Sequence, residues 1–414
     1  MTSKKEATAS QDDRKGGLVP RLRFPEFRGA DGWEKATLGN QSSILKGKGL
    51  SKADLAPNGA RACIRYGEVY TRYGETIKEV VSRTDVPASE LFLSEPDDVI
   101  IPSSGETKID IAKASCVLAG GIALGGDLNV IRSNLNGTFL SYYLNGPKRL
   151  EVARVAQGDS VVHLYPHQLE ALTIAVPPDA EQQKIAVCLS SVDEVIAVQA
   201  RKVAALGTHK KGLMQQLFPQ VGETQPQLRF PDFQDAGEWE SMLLGGAVKS
   251  FKTGKLDANA MVENGQYRFY TCAKNYYQID KYAFEGEALL VAGNGAHLGY
   301  IHHYIGKFNA YQRTYVLQQF EANVVFLRCV LERYLPARIQ SERKDGNTPY
   351  IVLSTLTEMP LLIPSGLEEQ HRIAACVSSL DALITAETQK LEALKRHKRG
   401  LMQQLFPAQE SAPV

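Results

Sequence analysis

The stretch EQQKIAVCLSSVDEVI at residues 181–196 returns as EQHRIAACVSSLDALI at residues 369–384. The same offset of 188 residues carries HKKGLMQQLFP at 209–219 onto HKRGLMQQLFP at 397–407. Upstream of each copy lies a second match. Leu22-Arg23-Phe24-Pro25-Glu26-Phe27 returns as Leu228-Arg229-Phe230-Pro231-Asp232-Phe233, followed by Trp33-Glu34 and Trp239-Glu240, then Leu38-Gly39 and Leu244-Gly245, all offset by 206. Between these anchors, residues 34–178 and 240–364 show no comparable identity, and the change of offset from 206 to 188 means that the intervening material differs by about eighteen residues. The chain is therefore laid out variable–conserved–variable–conserved, a duplicated scaffold carrying two unlike globular parts.

The repeated segments predict long helices. In the first copy the apolar stripe runs Ile185, Leu189, Val192, Ile196, Val203, Leu206, Leu213, Leu217, interrupted by Gln199 and Lys210. In the second it runs Ile373, Val377, Leu380, Ile384, Leu391, Leu394, Leu401, Leu405, interrupted by Glu387 and Lys398. Alternating steps of three and four make a coiled-coil seam, a period no strand can use. Ser365-Gly366-Leu367-Glu368 predicts a capping box, and Asp179-Ala180-Glu181-Gln182 a looser one. Phe218-Pro219 and Phe406-Pro407 mark the ends, since proline cannot extend the ladder. Ile185 to Leu217 would reach roughly 50 Å at 1.5 Å per residue. A stripe of that length needs a partner, and the two copies are expected to bury each other antiparallel. The polar interruptions either fix register or snorkel from the seam edge.

The fold expected is α+β. Two globular domains at 21–178 and 220–364 alternate with two long helices, at 179–219 and 365–407, that form an antiparallel coiled coil; tails occupy 1–20 and 408–414. Residues 61–70, 96–102, 285–293 and 313–318 read as strands bounded by turn residues, with helices near 136–150 and 321–334.

Composition narrows the function without deciding it. Lysine and arginine number 47 against 46 acidic residues, so any surface for an anionic polymer must come from local arrangement. No apolar run is long enough to span a bilayer, and the first twenty residues lack a signal-peptide core, which predicts a cytoplasmic protein without membrane attachment. Six scattered cysteines form no CxxC pair, so no metal site is expected and buried thiols are the simplest reading.

Both variable parts open on a basic, glycine-punctuated segment: Lys46, Lys48, Ser51 and Lys52 in the first, Lys249, Lys252 and Lys255 in the second. Either segment alone would be an ordinary solvated loop. Recurring at the same place, they suggest a phosphate contact, because glycine lets the backbone approach and lysine supplies charge. Base edges need forked donors and acceptors. Candidates are Arg65, Arg72, Ser103, Ser104, Glu106 and Thr107 in the first domain, and Asn294, His297, Tyr300, Gln312 and Arg313 in the second. Arg65 or Arg313 could instead pair with a carboxylate, and Tyr300 could be a core ring.

Catalytic motifs are wanting. Pro96-Asp97 with Glu106-Thr107-Lys108 fits a loose nuclease pattern, but the second domain has no counterpart. Pro177-Pro178 lacks the Asn or Asp before it and the aromatic after it that an adenine-flipping methyltransferase pocket requires. There is no GxxxxGK[ST] loop for ATP. His302-His303 has no nearby carboxylates at ligand spacing and reads as a surface pair.

With these features in hand, the chain resembles the specificity subunits of type I restriction–modification systems over nearly its whole length. The resemblance rests on the paired Trp-Glu starts, on Pro177–Gln182 and Pro364–Gln370, and on the duplicated Leu189-Ser190-Ser191-Val192-Asp193 and Val377-Ser378-Ser379-Leu380-Asp381. Gly67 after Ile64-Arg65-Tyr66 matches a frequent early motif of such domains, whereas the second domain departs from it with Tyr267-Arg268-Phe269-Tyr270. The resemblance implies two target recognition domains, each reading half of a split, asymmetric target in double-stranded DNA. It implies that the helices measure the spacer and dock two modification subunits, which methylate adenine with S-adenosylmethionine, and that motor–nuclease subunits then join. This chain would hold no cofactor and perform no catalysis. The competing expectation is a protein-interaction scaffold unrelated to DNA.

Overall fold

The computed structural model describes residues 18–220, 222–342 and 350–408. Its two long helices are Asp179–Leu217 and Leu367–Leu405, 39 residues each. The chain divides into two units, and the division falls inside both helices, after Gln199 and after Gln389. The first unit holds the start of the first helix and the end of the second. The second unit, Ala200–Gln389, holds the opposite halves.

Within each unit the two half-helices run antiparallel against one globular part. In the first, Ile185, Ala186 and Leu189 share a core with Leu405 and Phe406, closed by Trp33 and Phe139. In the second, Ile373, Ala374 and Val377 share a core with Met214, Leu217 and Phe218, closed by Trp239 and Phe326. The seam positions Ile185, Leu189, Ile373, Val377 and Leu391 are buried, and Val192, Ile196, Val203, Leu206, Leu380, Ile384 and Leu394 are half-buried. The interrupting lysines reach carboxylates on the other helix of their unit: Lys398 to Asp193 at 2.7 Å and Lys210 to Asp381 at 2.6 Å. Glu387 pairs with Lys202. Lys210, Glu387 and Lys398 are thus ion-pair positions between helices rather than side chains merely escaping the seam, and Gln199 is buried.

The globular parts differ. Among the described residues, the first has a five-stranded sheet ordered Ser42–Lys46, Leu128–Ser133, Asp98–Pro102, Ser115–Val117, Thr76–Ile77. Beside it lies a four-stranded sheet ordered Ser82–Thr84, Arg61–Ile64, Ala123–Leu124, Phe92–Leu93. The second has one six-stranded sheet ordered Val248–Thr253, Thr314–Phe320, Phe284–Ala292, Ile301–Ala310, Tyr267–Tyr270, Tyr277–Ile279. One element is common: a two-stranded ribbon pairs Glu34–Thr37 with Thr173–Val176, and likewise Glu240–Leu243 with Pro360–Ile363, so each globular part is tied shut at its own ends.

Local expectations fare unevenly. The strand expected at 61–70 stops at Ile64, and Tyr66–Thr71 is helical because the Glu68 carboxylate accepts from the Arg65 backbone N–H and starts a turn. The helix expected near 321–334 runs Val324–Ser341 despite Pro336. Glu368, expected to close a capping box, is exposed; Gln370 reaches back instead, donating to the Pro364 carbonyl at 3.1 Å. Of the expected N-terminal tail, residues 1–17 lie outside the described residues, whereas Leu18 exchanges backbone hydrogen bonds with Trp33. Of the C-terminal tail, 409–414 lie outside them.

Candidate nucleic-acid interface

In the first unit the structure brings Lys46, Lys48 and Arg65 around one turn. Lys46 ends a strand beside Asn129, the Gly47 N–H donates to the Leu128 carbonyl, and the Lys48 N–H donates to Leu124. Gly47 is required there: a Cβ would lie 2.0 Å from the Gly125 carbonyl oxygen. Gly125 in turn donates to Ile64, which places Arg65 against the same turn. Burial pushes the Lys46 ammonium down, opposed by Asp127. The helix Tyr66–Thr71, with Arg72 exposed at its end, packs beside Ser104–Gly105, and Glu106 and Thr107 continue from there.

Three expected readers have other duties. Ser103 is buried and its backbone is spent on Asp127 and Leu164. The Ser51 hydroxyl accepts from Ala53 and donates to Asp54, capping a 3-10 turn with Lys52 exposed on it. Thr107 likewise caps Lys108–Ile111 through Asp110. A hydroxyl that caps a helix has its lone pairs committed.

The second unit gathers its candidates at one end of the six-stranded sheet. Asn294, His297 and Tyr300 lie in the hairpin joining Phe284–Ala292 to Ile301–Ala310. The Gly293 N–H donates to the Arg313 carbonyl, and the Gln312 N–H to Leu256, which brings Lys255 alongside. Gln312 also reaches Asp257 at 3.4 Å. Lys252 lies further along its strand, opposite Val316. Lys249 is at the far end, beside Glu321 at 3.7 Å, and does not join the group. His302 does not stand free: its Nε2–H donates to the Ala273 carbonyl at 2.8 Å, while His303 meets Glu287 at 2.8 Å.

Among the described residues no three His, Cys, Asp or Glu side chains cluster to hold a metal. Burial pushes the Cys116 and Cys329 thiols up to about 12 and that of Cys63 to about 11. Buried thiols at those values are poor nucleophiles.

The sequence reading missed the residues that fasten each globular part to its helices. Arg23 donates through Nε and Nη2 to both carboxylate oxygens of Glu181, at 2.8 and 2.7 Å, with the two side chains 5% and 1% exposed. Arg229 and Glu369 repeat the fork at 2.8 and 2.7 Å. The next residue, Gln182 or Gln370, accepts from the backbone N–H of Asn136 or Asn323 at 3.0 Å. Each of those asparagines caps the helix that carries Phe139 or Phe326. The available signal was the survival of Arg23 and Glu181 as the same residue types in both copies. The asparagines sit in dissimilar sequence and share only an Asn-x-x-Phe spacing.

Comparison with known proteins agrees with this layout. The family model described as "Type I restriction modification DNA specificity domain" matches residues 30–207 and again 236–396. A type I restriction enzyme EcoDI specificity subunit from Escherichia coli is 37% identical over 169 residues, a match spanning 40% of this chain and 37% of that protein. The MjaVIII specificity subunit of Methanocaldococcus jannaschii is 23% identical over 93% of both chains. Among solved structures, the S subunit of a type I restriction–modification system from M. genitalium superposes with a TM-score of 0.67 at 21% identity, covering 95% of this chain and 100% of that one. A chain from a study of complex assembly and conformational transition of the type I system gives 0.53 at 16% identity, covering 91% of this chain and 98% of that one.

Proposed function

The chain belongs to the type I restriction–modification DNA specificity family, and on that premise we propose that it recognises a bipartite, asymmetric target in double-stranded DNA. Each target recognition domain, 21–178 or 220–364, reads one half-site. The observation that carries this is the contrast within each unit: identical fastenings to the helices, unlike sheets beyond them. Two separate sets of base contacts add specificity, each mismatch costing about 1–3 kcal/mol.

The two helices act as an antiparallel coiled coil that sets the spacer between half-sites. Supporting this, the Asp193–Lys398 and Lys210–Asp381 pairs join the helices in the same antiparallel sense in each unit. The helices also dock two modification subunits, whose pockets would supply adenine flipping and S-adenosylmethionine, and motor–nuclease subunits complete the complex. The chain itself contributes recognition rather than catalysis. No helix among the described residues is long and apolar enough to cross a membrane, in keeping with a place in the cytoplasm beside the DNA.

Mapping methylated sites made by the chain with its modification partner tests the proposal. A two-block motif with a fixed gap is expected; a single continuous motif, or methylation without sequence preference, would overturn it. Deleting seven residues from one helix should change the gap or abolish assembly while leaving both half-site preferences intact.

A further inference from the structure

The six-stranded sheet of the second unit has two different faces. One, bearing Leu289, Val291, Ile301 and Leu317, is packed on the helix Val324–Ser341. The other follows from the register, since residues directly opposite across a ladder share a face. Lys252 lies opposite Val316, Val316 opposite Leu290, and Leu290 opposite His302; Ala288 lies opposite Tyr304, and Phe308 is level with Arg268. This face carries a thin apolar layer of Ala288, Leu290, Phe308 and Val316, and over it stand large polar rings and cations. Tyr276 and Tyr300 are exposed beside it, 46% and 38%.

Arg268 is the cation whose position is best fixed here. Its guanidinium carbon lies 4.3 Å from the centre of the Tyr276 ring and 4.6 Å from that of Tyr304, and Nη1 donates to the Tyr270 hydroxyl at 3.4 Å. Among the described residues no carboxylate forms an ion pair with it. Elsewhere in the unit three arginines of comparable burial do have one, since Arg229 holds Glu369, Arg328 holds Asp381 and Arg338 holds Glu342, while Arg333 donates to the Gln220 side chain. A half-buried guanidinium held by three tyrosines and left without a counter-charge is preorganised for an acceptor from outside. Backbone phosphates need only mobile charge, which exposed Lys252 and Lys255 already offer. A rigid planar fork matches the paired O6 and N7 acceptors of guanine.

We propose that Arg268 reads a guanine in the half-site of the second domain, with Tyr276 and Tyr304 as the residues that position it. This rests on the reading of that domain as a DNA reader. The test is selection from a randomised duplex DNA library by the full chain in complex with its modification subunits, together with melting curves. Wild type should select two blocks, one containing a guanine that Arg268→Gln no longer selects, with roughly 10- to 100-fold weaker binding to the original site and the other block unchanged. Arg268→Lys should keep the salt-dependent affinity but accept other bases at that one position. An unchanged motif, or equal weakening on every sequence, overturns the assignment. So does loss of the whole block accompanied by a lowered melting temperature, which would mark a structural residue. A wild-type complex with no preference in the second block would instead sink the domain reading itself, before any variant is compared.

Discussion

The two units solve one mechanical problem identically and one chemical problem differently. Where a globular part meets the helices, the same side chains recur: Arg23 with Glu181 and Arg229 with Glu369, Phe406 between Trp33 and Phe139, Phe218 between Trp239 and Phe326. Away from that joint the folds differ: one unit has a five-stranded and a four-stranded sheet, the other a single six-stranded one. The lesson is that a scaffold can tolerate very different readers provided that a small buried joint is kept, because that joint fixes each head on its helices in the same way.

If that is right, damage to the joint should cost the two units alike. Phe406→Ala and Phe218→Ala each remove a fully buried ring, and each should cost about 3–5 kcal/mol, read by hydrogen exchange within its own unit. A large difference between them would break the equivalence. Glu181→Gln and Glu369→Gln leave a buried arginine without its counter-charge, and each should cost about 3 kcal/mol in chemical denaturation.

The comparison sharpens where the units part. In the first, Glu75 sits between Lys113 at 3.2 Å and Lys398 at 2.9 Å. Burial alone would raise its pKa, but the two lysines outweigh it and hold the carboxyl at about 2. A carboxylate with a depressed folded pKa gives stability that is complete above its ordinary value near 4.5 and is lost as pH falls toward 2. Glu75→Gln should therefore flatten the acid limb of the first unit between those values, by on the order of 2 kcal/mol, measured by denaturation at stepped pH. An unchanged slope would show that the lysines do not govern Glu75. The smallest effect expected concerns the tryptophans. The Trp239 Nε1–H donates to Glu369 at 3.4 Å, whereas the buried Trp33 Nε1–H has no protein acceptor. Trp239→Phe should cost about 1 kcal/mol more than Trp33→Phe in the same denaturation assay.

What was legible in the sequence follows the same division. The helices were readable because a stripe of Ile185, Leu189 and Val192 has a period that only one secondary structure satisfies, and because it occurs twice. Around Lys46 the sequence offered glycines that let a backbone come close, and Gly47 does lie against another backbone. The Arg23–Glu181 fork was not readable, since its partners are 158 residues apart and local pattern carries no distance information. The settings of Ser103 and Thr107 were hidden for a related reason: a hydroxyl looks the same in sequence whether it faces solvent, is buried or caps a helix. Arg268 was passed over because its setting depends on Tyr276 and Tyr304 arriving from other strands and loops.

The division of both helices between units also orders events during synthesis. The second unit is one continuous segment and can close once Gln389 has left the ribosome. The first has its Trp33 and Phe139 early but must wait for Leu405 and Phe406, so its apolar socket stays open through most of translation. The earlier-made head thus depends on the last-made helix for its closure, whereas the later-made head closes on helix halves that lie within its own continuous stretch.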